Sequence, residues 1–213
     1  MIINGKPLKS INHYYNKQEA YLQERLERCQ KKKTSKRLQR LSEKRNNKIA
    51  DYLHKTSKLI IDYCNQFKIG TIIIGHSKQW KLKLNLGKRN NQTFANIPFS
   101  KLIQMIEYKA TQNNINIMIQ EESYTSKASY FDNDKIPTLR DKGQRIFSGE
   151  RIRRGLYMCK DGSFVNADVN GSLNIMRKAV NDVERPVDKG FVTNPLKITL
   201  NNTKFQNIKE FKQ

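Results

Sequence analysis

The sequence combines 213 residues with 41 Lys and Arg against only 19 Asp and Glu, which leaves a formal net charge of +22. Because so many positive side chains repel one another in a compact fold, the composition predicts a polyanionic partner. Nucleic acid, with its phosphates, is the polyanion we expect. No apolar run approaches the roughly 20 residues of a membrane-spanning helix and no signal-peptide pattern opens the chain, so a membrane partner is not expected.

The chain opens with a predicted strand fragment and turn at residues 1–11, because apolar residues surround an Asn4-Gly5 pair that is typical of hairpin turns. Residues 12–67 contain no proline or glycine and are rich in helix-forming side chains, so two long helices are expected. Thr34-Ser35 interrupts them and is predicted to cap the second helix. The segment is therefore interpreted as a helical hairpin.

Basic residues crowd the tip of this hairpin, and few acids balance them there. One interpretation is an ordinary solvated helix face. The other, which we favour, is contact with nucleic-acid phosphates, and it predicts that charge reversal weakens binding and its salt dependence. The candidate nucleic-acid-binding residues are Lys31, Lys32, Lys33, Lys36, Arg37, Arg40, Lys44 and Arg45.

Two short β-branched runs follow, Gly70–Gly75 and Ile115–Gln120, and each predicts a buried strand. Pro98 introduces a helix between them, with a possible core-facing stripe at Leu102, Ile103, Ile106 and Tyr108. Residues 68–128 therefore predict a βαβ unit, with parallel strands in one sheet and a right-handed crossover.

The last third of the chain is predicted in three parts. Residues 129–167 are polar and irregular and then form a hairpin that turns at Asp161-Gly162. Residues 168–180 form a helix with Asp168 near its start. Residues 181–213 carry two prolines and several asparagines and are expected to be a flexible tail.

Acidic residues mark the ends of two predicted elements. Glu121 and Glu122 end the second strand of the βαβ unit, and Asp168 opens the last helix. Carboxylates that converge at the carboxyl ends of strands can hold Mg²⁺ for phosphodiester cleavage. The alternative is a helix cap at Asp168 and a solvated glutamate pair, and periodicity does not decide between the two.

Three stretches carry a resemblance to a known family. The stretch Asn166-Ala-Asp-Val-Asn-Gly-Ser-Leu-Asn-Ile175 resembles the third RuvC motif of the TnpB family of transposon-encoded, OrfB-type RNA-guided nucleases and of their type V CRISPR relatives. Tyr124-Thr-Ser-Lys127 and Ile2–Lys17 resemble two further family segments. The resemblance implies an α/β fold, an RNase H-like (RuvC) mixed sheet with flanking helices and an inserted basic helical hairpin. It also implies that Asp168 is the third metal-binding aspartate.

The sequence departs from the family at two catalytic positions. The family's first aspartate lies on a strand that would precede Met1, so the resemblance implies a carboxy-terminal fragment that lacks this strand. Gly75 stands where most members place the catalytic glutamate, and the adjacent His76 is more often a structural residue. Some TnpB-like proteins supply this carboxylate from the neighbouring strand, so Glu122 is the expected ligand, with Glu121 second.

A third departure concerns zinc. Family members build a zinc ribbon from two Cys-x-x-Cys pairs, whereas Ser129 and Asp132 stand near the first pair here and only Cys159 near the second. Zn²⁺ is therefore not expected, and the hairpin should persist through strand pairing. The odd number of widely spaced cysteines also argues against a disulfide framework and favours a reducing cytoplasm, with nucleoid association implied by the charge.

Two functions follow from these expectations. The first is a Mg²⁺-dependent RuvC-type DNA endonuclease, guided by RNA in its full-length form, whose activity in this chain is uncertain because the first aspartate is missing. The alternative is a nucleic-acid-binding remnant of a mobile-element transposase that performs no chemistry. A DNA-joining transposase in the strict sense is less favoured, because no tyrosine stands beside a His-x-His pair.

Overall fold

The computed structural model describes residues 1–31, 33–76, 97–138, 140–141, 145–180 and 189–200. The chain divides into two compact units. The described residues of Ile3–Ile69 and Lys83–Asn114, with residues 198–200, form a helical unit. Those of Gly70–Leu82 and Ile115–Lys197, with Met1–Ile2, form a mixed α/β unit.

Two long helices dominate the helical unit, α1 over Lys6–Gln30 and α2 over Lys36–Gln66. Ser35 caps α2 as predicted, since its side chain accepts a hydrogen bond from the Leu38 amide. The start of α1 differs from the prediction of a hairpin turn. The Asn4 side chain accepts from the Lys6 amide at 3.0 Å, so Asn4-Gly5 leads directly into the helix.

The third helix of this unit, α3, spans Phe99–Gln112 and packs against α2. Its buried residues are Met105, Ile106 and Ala110. The prediction that Tyr108 faces the core is wrong, because Tyr108 is 45% exposed. The buried residues of the surrounding core are Leu8, Ile49, Tyr52, Leu53, Ile97 and Met105. Burial of this apolar surface is what holds the three helices together.

The α/β unit contains a parallel pair of strands, β2 over Thr71–His76 and β3 over Asn116–Glu121. Their register runs from Thr71 opposite Asn116 to His76 opposite Glu121. The predicted parallel pairing is therefore confirmed, but the prediction that both strands are buried is wrong: no residue of β2 or β3 is buried, and Ile119 is 52% exposed. Because both strands point the same way, His76 and Glu121 mark the carboxyl edge of the sheet.

An antiparallel three-stranded sheet follows, with β4 over Glu150–Arg153, β5 over Leu156–Met158 and β6 over Phe164–Asn166. The predicted hairpin is the β5–β6 pair, and Gly162 adopts the left-handed conformation in its turn at φ 77°. β4 was not predicted. All of its residues are exposed, so it has no alternating apolar pattern.

Helix α4 spans Ala167–Ala179 and contacts β2, β3, β5 and β6. Part of the predicted tail is regular: α5 covers Lys189–Thr193, and β7, Lys197–Ile198, pairs with β1, Ile2–Ile3. Val192 joins the core of buried Tyr157, Cys159, Val165 and Ala167. The rest of the predicted tail, 181–188 and 201–213, lies outside the described residues. No helix in the described part is long and apolar enough to cross a membrane.

Candidate functional site

Glu121, the last residue of β3, is bound on both carboxylate oxygens. Its Oε1 accepts from the Ser123 amide at 2.7 Å, and its Oε2 pairs with the ammonium of Lys178 on α4. Burial raises the pKa of Glu121, but the hydrogen bonds from Lys178 and Ser123 outweigh it and leave the pKa below its usual value. Glu121 is thus an ionised partner that ties the strand end to α4.

Glu122, the next residue, points its carboxylate at Gly75 on the neighbouring strand. A Cβ at residue 75 would lie 3.0 Å from Glu122 Oε2 and 2.5 Å from Ile175 Cδ1. Burial is the main cause of a raised pKa at Glu122, which the charge of Glu121 raises further and His76 opposes. The Glu122 carboxylate therefore occupies the space in which a larger residue at position 75 would place its side chain.

Asp168 lies in the first turn of α4 but does not cap it. The Asn166 side chain is the cap and accepts from the amides of Asp168 at 3.0 Å and Val169 at 3.2 Å. The Asp168 side chain is 68% exposed, and its nearest cation is Arg151 at 4.0 Å. The capping alternative from sequence therefore falls to Asn166, and the Asp168 carboxylate is left available to a ligand.

Asp168 and the Gly75–Glu122 site lie at two levels along one face of α4. Ile175 contacts the Gly75–Glu122 site, and Asp168 precedes it by close to two helical turns, which places both on one helix face about 10 Å apart along the axis. Within the part of the chain that the structure describes, no three His, Cys, Asp or Glu side chains form a metal-binding cluster. Glu122 and Asp168 therefore need further ligands to enclose an ion.

Two asparagines of α4 were not assigned a role from sequence, and both are fully buried. Asn170 accepts from the Tyr130 amide at 3.0 Å and donates to the Ala128 carbonyl at 2.8 Å. Asn174 donates to the carbonyls of Thr125 and Ala128 at 2.9 and 2.7 Å. With these hydrogen bonds, the two asparagines hold the backbone after Glu122 against α4. Their spacing of four residues was the available signal, since it places both amides on one helix face.

The basic tip of the hairpin is exposed. Within the described part of the chain, no ion pair is formed by the exposed cations of the tip, whereas the neighbouring Arg28 pairs with Glu24. Helix α2 begins with Lys36 and Arg37 and has no acid in its first turn, so two cations add to the positive end of the helix dipole. This arrangement is unfavourable without an anion nearby. The exposed candidates are Lys31, Lys33, Lys36, Arg37, Arg40 and Lys44.

Two of the candidate cations stand apart from this group. Lys32 lies outside the described residues. Arg45 is half-buried: its Nε donates to Asn12 at 2.9 Å, one terminal nitrogen donates to Asn46 at 2.8 Å, and the guanidinium lies 5.5 Å from the Tyr15 ring centroid. Arg45 therefore has a structural role between α1 and α2.

Comparison with known proteins places this arrangement in a family. A family model described as OrfB_IS605, probable transposase, matches residues 1–81, and one described as Cas12f1-like, TNB domain, matches residues 99–175. Between them they include the hairpin, both parallel strands, Glu122 and Asp168. This chain is a TnpB-family relative of the type V effectors.

Two curated relatives of this TnpB-family chain agree. It is 29% identical over 152 residues to the TnpB-like protein ORF457 of Acidianus two-tailed virus, which covers 70% of this chain and 30% of the relative. It is 28% identical over 145 residues to the CRISPR-associated endodeoxyribonuclease Cas12f2 of a Micrarchaeota archaeon, which covers 64% of this chain and 25% of the relative. The chain thus spans a third or less of the length of either relative.

A solved structure shares the fold of the TnpB-family chain. The cryo-EM structure of a Cas12f1-sgRNA-target DNA complex superposes with a TM-score of 0.54 at 20% sequence identity, over 79% of this chain and 42% of the other. At that identity the likeness concerns fold alone. It supports the mixed α/β architecture predicted from sequence.

The zinc-ribbon positions of the family do not fit Zn²⁺ in this chain. One carboxylate oxygen of Asp132 accepts from the Ser129 hydroxyl at 2.5 Å and from the Lys160 amide at 2.9 Å. The remaining donor, Cys159, is buried with Tyr157 and Val165 in an apolar core. Tetrahedral zinc needs four nitrogen, sulfur or oxygen ligands. Here hydrogen bonds accepted by Asp132 join the two segments that zinc would join.

Proposed function

We propose that Glu122 and Asp168 are ligands for Mg²⁺ in a RuvC-type nuclease site, and that the tip of the α1–α2 hairpin contacts nucleic-acid phosphates. The observation that carries the proposal is the position of Glu122 Oε2, 3.0 Å from the Cβ that residue 75 would have. Since most family members place the catalytic glutamate at the position of Gly75, the adjacent strand supplies a carboxylate to the same place.

The residues of the chain fit a hard cation. Carboxylate oxygens are the ligands that Mg²⁺ prefers, and Asp168 is exposed enough to be reached by an ion and its waters. When bound, Mg²⁺ activates water and stabilises the leaving oxygen of a phosphodiester. Glu121 holds Lys178, which also donates to the Ser123 carbonyl at 3.3 Å, and so fixes the backbone on either side of Glu122.

The names of the relatives suggest the reaction and the partners. One is an endodeoxyribonuclease, and the solved neighbour was captured with a single guide RNA and target DNA. We therefore propose that the protein to which this chain belongs is a transposon-associated, RNA-guided DNA endonuclease, in which base pairing selects the target and the protein contacts the backbone.

Metal binding by the full chain tests the proposed site. Mn²⁺, which reports on Mg²⁺ sites, is titrated by electron paramagnetic resonance into the wild type, Glu122→Gln and Asp168→Asn. Each variant should lose about tenfold or more in affinity, as expected when a metal site loses a ligand or its support. Glu121→Gln decides between the two glutamates, and Glu150→Gln on exposed β4 is the matched control. Equal affinity in all five proteins would refute the site.

Charge reversal tests the hairpin tip separately. Lys36→Glu, Arg37→Glu and Arg40→Glu together should weaken DNA and RNA binding and lower the slope of log affinity against log salt by roughly 0.7–0.9 for each lost phosphate contact. Lys55→Glu, farther along α2, is the control, because Lys55 already pairs with Asp51 at 2.8 Å. An unchanged slope would end the proposal for the tip.

A second candidate function is nucleic-acid binding without chemistry. It is favoured by the finding that the described residues contain no three-ligand cluster. The double variant Glu122→Gln with Asp168→Asn separates the two candidates. If it binds Mn²⁺ as the wild type does and retains salt-sensitive nucleic-acid binding, the binding function alone remains.

A further inference from the structure

A groove of about 390 Å³ runs between α1 and α2 and shares Lys44 with the basic group at the hairpin tip. Ile11, Tyr15 and Leu41 form its half-buried floor. Its rim carries the exposed ring of Tyr14 and two lysines that lie one helical turn apart, Lys44 and Lys48. Arg45 lies beside them. The volume falls in the class of roughly 300–1,000 Å³ that small ligands occupy.

The floor and one wall of this groove are held by internal bonds. The Tyr15 hydroxyl donates to Glu19 at 2.6 Å, and Arg45 is bound by Asn12 and Asn46 while its guanidinium covers the Tyr15 ring. These side chains need not rearrange when a ligand enters. The groove is therefore preorganised, which lowers the entropic cost of binding.

The rim, by contrast, is open to a partner. The Tyr14 side chain is 61% exposed, far more than a ring that serves the core. Lys44 and Lys48 are exposed, and the described part of the chain contains no ion pair for either. No acidic residue lines the groove, so its rim is positively charged. Glu19 lies near Arg45, and Glu43 and Asp51 line a neighbouring cavity that shares Lys44 and Lys48.

We propose that this groove binds an unpaired nucleotide of a single-stranded nucleic acid, with the base against Tyr14 and the phosphate at Lys44 and Lys48. An aromatic face beside cations matches a ligand that is planar on one side and anionic on the other. A duplex hides its base faces by stacking and fits the groove less well. The inference deepens the proposed nucleic-acid contact of the hairpin and rests on it.

Fluorescence anisotropy of the full chain with a labelled oligo(dT) strand and with a duplex of equal length tests the inference. Tyr14→Ala should weaken single-strand binding by about 5- to 100-fold, the usual loss of one base–aromatic stack. Its salt slope should not change, because tyrosine carries no charge. Tyr14→Phe should bind as the wild type does, and duplex binding should be unaffected.

Two controls separate this site from the tip and from unfolding. Tyr108→Ala removes a comparably exposed tyrosine, 45% exposed on α3, and should have no effect. Lys44→Gln with Lys48→Gln should lower the single-strand salt slope by roughly 0.7, the contribution of the one phosphate that both lysines are proposed to contact. Thermal melting confirms that each variant is folded.

Three outcomes would overturn the inference. The single-strand affinity of Tyr14→Ala could equal that of Tyr108→Ala. Tyr14→Ala could weaken duplex binding as much as single-strand binding. Poly-glutamate could displace the single strand from the wild type but not from Tyr14→Ala, which would indicate an acidic peptide ligand. Failure of the proposed function is distinguishable, because the wild type would then bind neither oligonucleotide or the tip variants would bind normally. The ratio of single-strand to duplex affinity reports on Tyr14 alone.

Discussion

Gly75 shows how one missing side chain reorganises a site. Its hydrogen leaves room for Ile175 of α4 and for the Glu122 carboxylate from the adjacent strand. In the proposed site, Gly75 stands on β2 where the family's glutamate is expected, and Glu122, directly after β3, supplies the carboxylate. Because the two positions share one volume, neither can be understood from its own strand.

Gly75→Ala tests this coupling. The added methyl group would lie 2.5 Å from Ile175 Cδ1, so the variant should be less stable by about 1–3 kcal/mol, the usual cost of overpacking. Ile175→Val removes the clashing atom and should recover part of the loss. Urea unfolding measures both, with Gly70→Ala as control because nothing lies within 4 Å of its added Cβ. Equal losses at Gly70 and Gly75 would contradict the packing.

The Glu121–Lys178 pair predicts a pH dependence of stability. Since the folded pKa of Glu121 is lowered, its contribution is present above the unfolded pKa of about 4.3 and is lost as pH falls through the folded value. The Glu121 side chain is 37% exposed, so solvent screening limits the contribution to about 1 kcal/mol. A double-mutant cycle with Glu121→Gln and Lys178→Met should give coupling at pH 7 that decreases as the pH falls below about 4.3. Coupling that does not decrease in acid would show that the interaction does not depend on the charge of Glu121.

At the scale of elements, α4 organises the α/β unit. Its Asn170 and Asn174 bind the backbone between Thr125 and Tyr130, and its Lys178 binds Glu121. The Thr125 hydroxyl in turn donates to the Glu122 carbonyl at 2.8 Å. The Thr-Ser-Lys segment and the third motif, noticed separately in the sequence, are therefore one hydrogen-bonded assembly that orients Glu122.

The order of helices and strands was predictable because glycine boundaries, β-branched runs and a long proline-free stretch are local signals. Strand β4 was not, since Glu150–Arg153 is exposed throughout and shows no periodic pattern. The contact between Glu122 and Gly75 also depends on register, which is set when the strands pair. The sequence predicted that these two strands are neighbours. It could not predict that Glu122 and the side chain of a larger residue at position 75 would occupy the same space.

The β5–β6 hairpin provides a test of metal dependence at this scale. Asp132→Ala removes the acceptor for the hydroxyl of buried Ser129 and for the exposed Lys160 amide. It should destabilise the unit by about 1–3 kcal/mol, the cost of leaving the buried Ser129 donor unpaired. A chelator such as EDTA should leave the melting temperature of the wild type unchanged, and purified protein should contain no stoichiometric zinc. Asp161→Ala, in the exposed turn, is the control. Chelator-induced melting would show that zinc, not Asp132, holds the hairpin.

At the scale of the whole molecule, the two proposed activities belong to different units. The candidate metal ligands lie in the α/β unit, and the basic tip and the groove lie in the helical unit. Variants in one unit should therefore leave the affinity measured in the other unchanged, since sites without shared partners usually behave additively.

The net charge of +22 makes the stability of the entire chain depend on salt. Like charges destabilise a compact state, and the screening length falls from roughly 10 Å at 0.1 M salt to 3 Å at 1 M. The melting temperature should therefore rise with KCl, by about 2–4 °C for each kcal/mol of repulsion relieved.

Lys36→Gln, Arg37→Gln and Arg40→Gln together should raise the melting temperature at low salt and reduce its further rise, because these cations crowd the positive end of α2. Lys55→Gln is the control. It should not raise the melting temperature, because it removes a charge that is already paired with Asp51. If the tip variant melts at or below the wild-type temperature in low salt, its cations are not the source of strain. A polyanion would then have less to relieve there, and the argument for phosphate contact at the tip would lose its energetic basis.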